Sequence, residues 1–109
     1  MAGKFVVFKG KDGQFYFRLL AANAQAIFSS QGYKTRASCG NGIKSVGKNS
    51  QNPKSFEVRS AKDGRKYFVL KASNGQEIGR SQMYKSDSGL RNGMKSVATN
   101  AAGAAVVDE

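Results

Sequence analysis

Residues 5–20 (FVVFKGKDGQFYFRLL) match residues 56–71 (FEVRSAKDGRKYFVLK) at a spacing of 51 residues, and this match decides the fold. Each stretch opens with a segment of alternating pattern that is rich in Phe or Val, and this pattern predicts a β-strand. Lys-Asp-Gly follows, and the glycine (Gly13 or Gly64) suits a tight turn because it tolerates a positive φ. A second strand containing Tyr-Phe-x-Leu completes the pattern. Both stretches therefore predict a β-hairpin.

The match extends well beyond the two hairpins. Aligned without a gap, residues 4–49 and 55–100 are identical at 22 of 46 positions. Identity at this level and at one fixed spacing indicates a tandem repeat. Residues 50–53 join the two copies, and Pro53 ends any helix that arrives from the first copy. We call the copies repeat one and repeat two.

The second half of each repeat changes period. A turn at residues 22–24 and a short third strand at residues 25–28 are predicted first. Thr35 is then a good N-cap, and the apolar residues after it recur at helical spacing. Asn49 and Asn100 are predicted to end the two helices. The positions that carry the helix pattern are Cys39, Ile43 and Val46 in repeat one, and Ser86, Leu90, Met94 and Val97 in repeat two.

These elements predict an α+β fold. Two tandem β-β-β-α repeats (4–49 and 55–100) and a C-terminal strand at about 104–107 form a single, mostly antiparallel sheet, with two helices packed on one face. A unit of about 50 residues buries little apolar surface alone. We therefore expect residues 1–109 to form one compact domain in which both repeats share a core.

The two repeats predict different outer sheet faces. Side chains that recur identically should meet the helices, namely Phe5, Val7, Phe17, Leu19 and Ile27. The opposite phase in repeat one is apolar and aromatic, and comprises Val6, Phe8, Tyr16, Arg18, Leu20 and Phe28. In repeat two the same phase is mostly polar, and comprises Glu57, Arg59, Tyr67, Val69, Lys71 and Gly79. Only repeat one is therefore expected to present an apolar outer face.

The hairpins, together with residues 32–46 (GYKTRASCGNGIKSV), resemble the YegP-like family of small proteins of uncharacterised function. The likeness covers roughly residues 4–107, with a mild departure at residues 88–90 (SGL), where repeat one has ASC. The resemblance implies a strand-strand-strand-helix-strand motif, repeated into one sheet, with C-terminal strands exchanged between the units. It implies no activity, ligand or catalytic residue.

The composition argues against an enzyme. The chain has no histidine and a single cysteine, Cys39. This removes Ser-His and Cys-His nucleophiles and nearly every zinc site. Asp12 and Asp63 stand beside turn glycines, where aspartate is expected for backbone reasons, and no carboxylate pair recurs in both repeats. We expect no catalytic residue, no metal and no cofactor, and we interpret Cys39 as a small buried hydrophobic residue.

The N-terminal residues have no long apolar run that would suit a signal peptide, and no 18-residue apolar stretch occurs. The sequence therefore predicts a cytoplasmic protein that does not enter a membrane.

Two functional hypotheses remain. The first is an interaction module that binds a protein partner, or a second copy, through the apolar face of repeat one. A covering tail or loop is the alternative explanation of that patch. The second is a module that binds RNA or single-stranded DNA, because Phe8, Tyr16 and Phe28 stand beside Arg18 in a chain of net charge +11. The charge can equally serve solubility alone.

A helix motif recurs in both repeats, as Asn41-Gly42 and Asn92-Gly93. Asparagine and glycine are poor helix formers, so their repetition indicates a specific need. The structural interpretation is that glycine lets the helix approach the sheet while asparagine satisfies a backbone group. A ligand-binding role is the alternative.

Overall fold

The hairpin turns form where the Asp-Gly pairs predict them. Gly13 and Gly64 adopt φ values of +81° and +89°, in the left-handed region that glycine tolerates. The computed structural model describes residues 3–109. Repeat one contains β1 (Lys4–Lys9), β2 (Phe15–Leu20), β3 (Ala26–Ser30) and α1 (Arg36–Asn49). Repeat two follows a short 3₁₀ turn and contains β4 (Phe56–Ser60), β5 (Lys66–Lys71), β6 (Glu77–Ser81) and α2 (Asp87–Ala101). The last strand is β7 (Ala105–Asp108).

The seven strands of the described residues form one sheet in the order β4-β5-β6-β3-β2-β1-β7. The two repeats meet where β3 pairs antiparallel with β6, around the pair Ser29 and Arg80. β7 follows the helix of repeat two but pairs in parallel with β1 of repeat one. The predicted α+β class and tandem architecture are therefore confirmed, and β7 makes the exchange between units that the family resemblance implies.

Both helices pack on one face of the sheet and begin as the sequence predicts. The hydroxyl oxygens of Thr35 and Ser86 accept hydrogen bonds from the backbone N–H groups of Ser38 and Gly89, each at 3.0 Å. Residues from both repeats line the one core beneath the helices. Phe17, Leu19, Phe68 and Leu70 are fully buried there.

The predicted helix ends are right for α1 and one residue short for α2, which continues past Asn100 to Ala101. The Nδ2 atoms of Asn49 and Asn100 donate to the carbonyl oxygens of Ser45 and Ser96 at 2.9 and 2.8 Å. Each asparagine thus hydrogen-bonds within the last turn of its own helix.

The predicted position of Phe28 on the outer face is wrong. The pairing between β2 and β3 skips a residue, because Leu19 pairs with Phe28 but Leu20 pairs with Ala26. This β-bulge turns both Ile27 and Phe28 toward the helices, where Phe28 is 1% exposed.

The predicted position of Gly79, the repeat-two equivalent of Phe28, on the outer face is also wrong. It pairs with Leu70 on the helix side of the sheet. A Cβ at Gly79 would overlap the carbonyl oxygen of Ser29 and would lie 2.8 Å from the Phe28 ring. The junction between repeats therefore holds one large ring, from repeat one, and repeat two leaves space for it.

Candidate interaction surface

The outer face of repeat one lies on β1, β2 and β7. We define the repeat-one outer face as Val6, Phe8, Tyr16, Arg18, Leu20 and Val107. Val6 stands in register between Arg18 on β2 and Val107 on β7. Phe8 is paired with Tyr16. The structure thus brings together five of the six residues that the sequence predicted, excludes Phe28 and adds Val107.

The aromatic part of this face is already partnered within the chain. The rings of Phe8 and Tyr16 stack with centroids 5.7 Å apart, and the Arg18 guanidinium lies 4.4 Å from the Phe8 centroid. The Tyr16 hydroxyl donates to a carboxylate oxygen of Asp12 at 2.6 Å. That hydrogen bond lowers the pKa of Asp12 and raises the pKa of Tyr16. Arg18 therefore occupies one face of Phe8, and a carboxylate lies at the tip of Tyr16.

The last strand extends the sheet and leaves its outer face open. β7 adds to the edge of β1, so its own side chains alternate between the two faces. Val107 shares the face of Val6 and is 43% exposed, whereas Val106 shares the helix side with Phe5 and is 48% exposed. The alternative that the tail covers the patch is therefore wrong. The tail instead enlarges the patch with a valine.

Repeat two closes its outer face with ion pairs. Glu57 accepts from Lys71 at 3.0 Å and from Arg59 at 2.7 Å, and Arg59 also pairs with Glu77. The contacts from Lys71 and Arg59 lower the pKa of Glu57. Val69 lies on this face, opposite Glu57, and is completely buried. The charged side chains thus cover the apolar position here, and repeat one has no such network among the residues that the structure describes.

The glycine of the repeated Asn-Gly motif has a structural role. A Cβ on Gly42 or Gly93 would overlap the hydroxyl of Tyr33 or Tyr84. Each tyrosine lies between its helix and the sheet, and Tyr33 stacks on Phe17 with centroids 6.2 Å apart. Glycine therefore lets the helix pass close over a tyrosine ring, as the structural interpretation requires.

The asparagine half of that interpretation is wrong. Asn41 and Asn92 are exposed, and neither side chain makes a hydrogen bond within residues 3–109. Nothing in the structure explains why both repeats keep an asparagine here.

We expect Asn41→Ala to leave the free energy of unfolding unchanged or to raise it by about 0.5 kcal/mol, because alanine is the better helix former. Urea unfolding followed by circular dichroism measures this value. A loss above about 1 kcal/mol would restore a structural role for the carboxamide, and Asn92→Ala provides an independent repeat of the test.

Other chemical features of the described residues assign no site. Cys39 is fully buried in α1, and burial raises the pKa of its thiol. No three His, Cys, Asp or Glu side chains in residues 3–109 cluster so that they could hold a metal ion. Neither helix has the length and apolar character that crossing a membrane requires.

An apolar groove of about 300 Å³ lies between α2 and the start of β4. Phe56, Met94 and Ala98 are among its apolar lining residues, and Arg91 and Lys95 are among its charged ones.

Comparison with known proteins places this architecture in a family. A family model described as a domain of unknown function (DUF1508) matches the chain twice, over residues 11–57 and 61–108. The chain belongs to the DUF1508 family. There is one match for each repeat, but each match begins six or seven residues after its repeat begins and ends eight residues after its repeat ends. The predicted resemblance to YegP-like proteins is confirmed.

Curated relatives in the DUF1508 family are similar over most of their length. A UPF0339 protein of Mannheimia succiniciproducens is 52% identical over 98 residues, which cover 90% of this chain and 87% of the relative. A UPF0339 protein of Pseudomonas aeruginosa is 48% identical over 109 residues, which cover 100% of this chain and 99% of the relative. Their names record no activity.

Solved structures confirm the DUF1508 fold. The solution structure of the protein of unknown function yegP from E. coli has a TM-score of 0.94 and 40% identity, and the match covers 100% of this chain and 94% of that one. The solution structure of a UPF0339 protein from Shewanella oneidensis has a TM-score of 0.92 and 39% identity, and the match covers 99% of this chain and 92% of that one.

Proposed function

We propose that this DUF1508 protein is a non-enzymatic interaction module of the cytoplasm that binds a protein partner through the repeat-one outer face. The observation that carries the proposal is the asymmetry between equivalent surfaces. Val6 and Phe8 occupy the positions of Glu57 and Arg59, and among residues 3–109 the ion pairs that close the repeat-two face have no counterpart around them. An apolar strip left open on only one of two related faces is typical of a binding surface.

The same face defines the chemistry of the partner. Val6 and Leu20 are half-buried and Val107 is exposed, and together they form an apolar strip, with Arg18 as the exposed cation beside it. A complementary partner presents apolar side chains, with an acidic group placed to meet Arg18. The stacked pair of Phe8 and Tyr16 forms a rigid border at one end of the strip.

Val106 and Val107 provide a matched test. They are adjacent on β7, are of one residue type and have similar exposure, but they lie on opposite faces of the sheet. We expect Val107→Glu to weaken binding of the partner by at least roughly tenfold, because it places a charge within the apolar strip. Val106→Glu should leave the affinity within a factor of about two.

The measurement has two stages. Wild type and both variants are used to capture proteins from a bacterial lysate, and the protein retained by wild type and Val106→Glu is then purified and titrated by calorimetry. Equal affinity for the two variants would contradict the proposal. Circular dichroism of each variant alone reports whether it remains folded, and light scattering reports whether it remains unaggregated.

Nucleic-acid binding is the second candidate, and the arginines on the open sheet carry it. Arg18 lies over Phe8, and Arg80 lies 5.6 Å from the centroid of Tyr67, so bases could stack beside cations on this surface. The covered ring of Phe8 and the carboxylate of Asp12 beside Tyr16 favour the protein partner instead. Titration of labelled single-stranded RNA at about 50 and 200 mM salt separates the two. Affinity that persists at the higher salt and is lost in a Phe8→Ala, Tyr16→Ala variant would favour the nucleic acid.

A further inference from the structure

The two ends of the sheet are not equivalent. The outer edge of β1 is covered by β7, whereas β4, the repeat-two equivalent of β1, has no strand on its outer side within the described chain. Val7 and Val58 occupy matching positions in the two strands, yet Val7 is 3% exposed and Val58 is 48% exposed. β4 is therefore an open edge strand with a half-exposed valine at its centre.

The unpaired backbone groups of this edge follow from the repeat. In β1, the Val7 carbonyl faces β7 and accepts from the N–H of Glu109 at 2.8 Å. The equivalent residue of β4 is Val58, so Phe56, Val58 and Ser60 direct their backbone groups toward the free edge, since alternate residues of a strand face the same side. The N–H of Phe56 is already donated to Pro53. Among the described residues, nothing else pairs with the backbone N–H and C=O groups of Val58 and Ser60 or with the carbonyl of Phe56 on this side of the strand.

The sequence of β4, Phe56-Glu57-Val58-Arg59-Ser60, is complementary to itself in an antiparallel direction. If two copies pair about Val58, each valine meets the other, and Phe56 of one copy meets Ser60 of the other. Glu57 of each copy then lies directly opposite Arg59 of the other, at a non-hydrogen-bonded position where side chains are close. Parallel pairing in the same register would instead place like charges side by side.

We infer that β4 is a self-association edge that pairs antiparallel with β4 of a second copy and joins two seven-stranded sheets into one. Each copy donates the N–H of Val58 to the Val58 carbonyl of the other, and the N–H of Ser60 to the Phe56 carbonyl of the other. Two-fold pairing about Val58 requires that Phe56, Val58 and Ser60 form the hydrogen-bonded pairs. These are the same residues whose backbone groups face the free edge. The phase of the backbone and the charges of the side chains thus select the same register.

The strength of the proposed dimer follows from the size of its interface, and its salt dependence follows from the net charge of each copy. An edge-to-edge contact of five residues is at the small end of specific interfaces, so the dimer is of the weak, reversible class. Each copy has a net charge of +11, and the two copies repel one another. Salt screens this repulsion over about 8–10 Å, so the dimer should strengthen as salt rises. Binding of a polyanion shows the opposite dependence.

Charge reversal with complementation tests the inference. Sedimentation velocity from about 10 µM to 1 mM should show a concentration-dependent dimer for wild type. Glu57→Arg and Arg59→Glu should each weaken it at least tenfold, because each places like charges opposite one another. Mixing the two variants should restore association as a heterodimer, since arginines of one copy then face glutamates of the other at both positions.

A charge-matched variant on another surface and a second edge variant serve as controls. Lys44→Glu changes the net charge as Arg59→Glu does, but on the exposed surface of α1, so it should keep the dimer. If either edge variant fails to fold, Val58→Lys replaces it, because Val58 has no ion pair to lose and two lysines would then meet at the two-fold axis. A wild type that is monomeric at 1 mM, or a mixture that associates no better than its components, would overturn the inference. Val107→Glu lies at the opposite end of the sheet and should leave the dimer intact, so this result is independent of the proposed function.

Discussion

Replacing Phe28 with alanine is expected to lower the free energy of unfolding by about 3–5 kcal/mol, the usual cost of removing a buried aromatic side chain. Phe28 is 1% exposed, and its ring fills the space above Gly79 at the junction of the two repeats. The surrounding backbone is held by the pairing of β3 with β6, so the cavity cannot collapse easily. Both repeats should lose stability together, because they share one core.

Phe8→Ala is the matched control for this prediction. Phe8 is the same residue type in the same repeat, but its ring lies on the partly exposed outer face. We expect this change to cost about 1–2 kcal/mol, since less apolar area is removed from a buried position. Urea unfolding of both variants, followed by far-UV circular dichroism, gives the comparison. Equal costs for the two variants would show that Phe28 is not buried as the structure describes.

The misplacement of Phe28 shows what periodicity can predict. Alternation along a regular strand correctly assigned Phe5, Val7, Phe17 and Leu19 to the core, because each strand had a uniform register. A bulge shifts the phase by one residue, and the signal for it lies in the pairing between β2 and β3 rather than in either strand alone. The helix caps at Thr35 and Ser86 were predictable for the opposite reason, because a cap depends on neighbouring residues only.

The sequence also could not predict that equivalent residues of the two repeats differ in burial. Val7 and Val58 are the same residue at the same place in the repeat, yet their exposures differ more than tenfold. The difference arises from β7, which follows repeat two and pairs with repeat one. A parallel partner that is distant in sequence leaves no local pattern, so Val107 was missed as a member of the outer face. The internal repeat predicted the elements that both halves of the fold share. Both proposed contacts lie on surfaces that differ between the halves.

Those asymmetric parts assign different surfaces to the two repeats. Repeat one has its edge covered by β7 and its outer face open, whereas repeat two has its outer face closed by Glu57, Arg59, Lys71 and Glu77 and its edge open. A partner on the repeat-one outer face and a second copy on β4 would therefore occupy opposite ends of one sheet. Both contacts can form at once, so a dimer would present two partner surfaces.

Gly42→Ala is expected to lower the free energy of unfolding by about 1–3 kcal/mol, although alanine is the better helix former. The added Cβ would overlap the hydroxyl of Tyr33 and would lie 3.1 Å from the Phe17 ring. Because Tyr33 is stacked on Phe17 beneath α1, it cannot move aside without disturbing the core. The helix must then lift or the ring must leave, and either response removes packing.

Gly47→Ala, on the same helix, provides the control. A Cβ at Gly47 would meet no atom within 4 Å, so this change should raise the free energy of unfolding by up to about 1 kcal/mol through helix propensity alone. Two glycines of one helix are thus expected to respond with opposite signs. Urea unfolding of both variants measures the difference, and a stabilising Gly42→Ala would contradict the close packing of Tyr33.

The cause can be isolated with a double-mutant cycle. In a Tyr33→Ala background the obstructing ring is gone, so Gly42→Ala should change from destabilising to neutral or stabilising. The coupling between the two positions is expected to be about 2 kcal/mol. Gly93 and Tyr84 repeat the same geometry in α2, where the Cβ would again overlap the tyrosine hydroxyl. An equal coupling in both repeats would establish that each glycine is kept for the tyrosine beneath it, and a coupling near zero would return the Asn-Gly motif to the ligand-binding alternative.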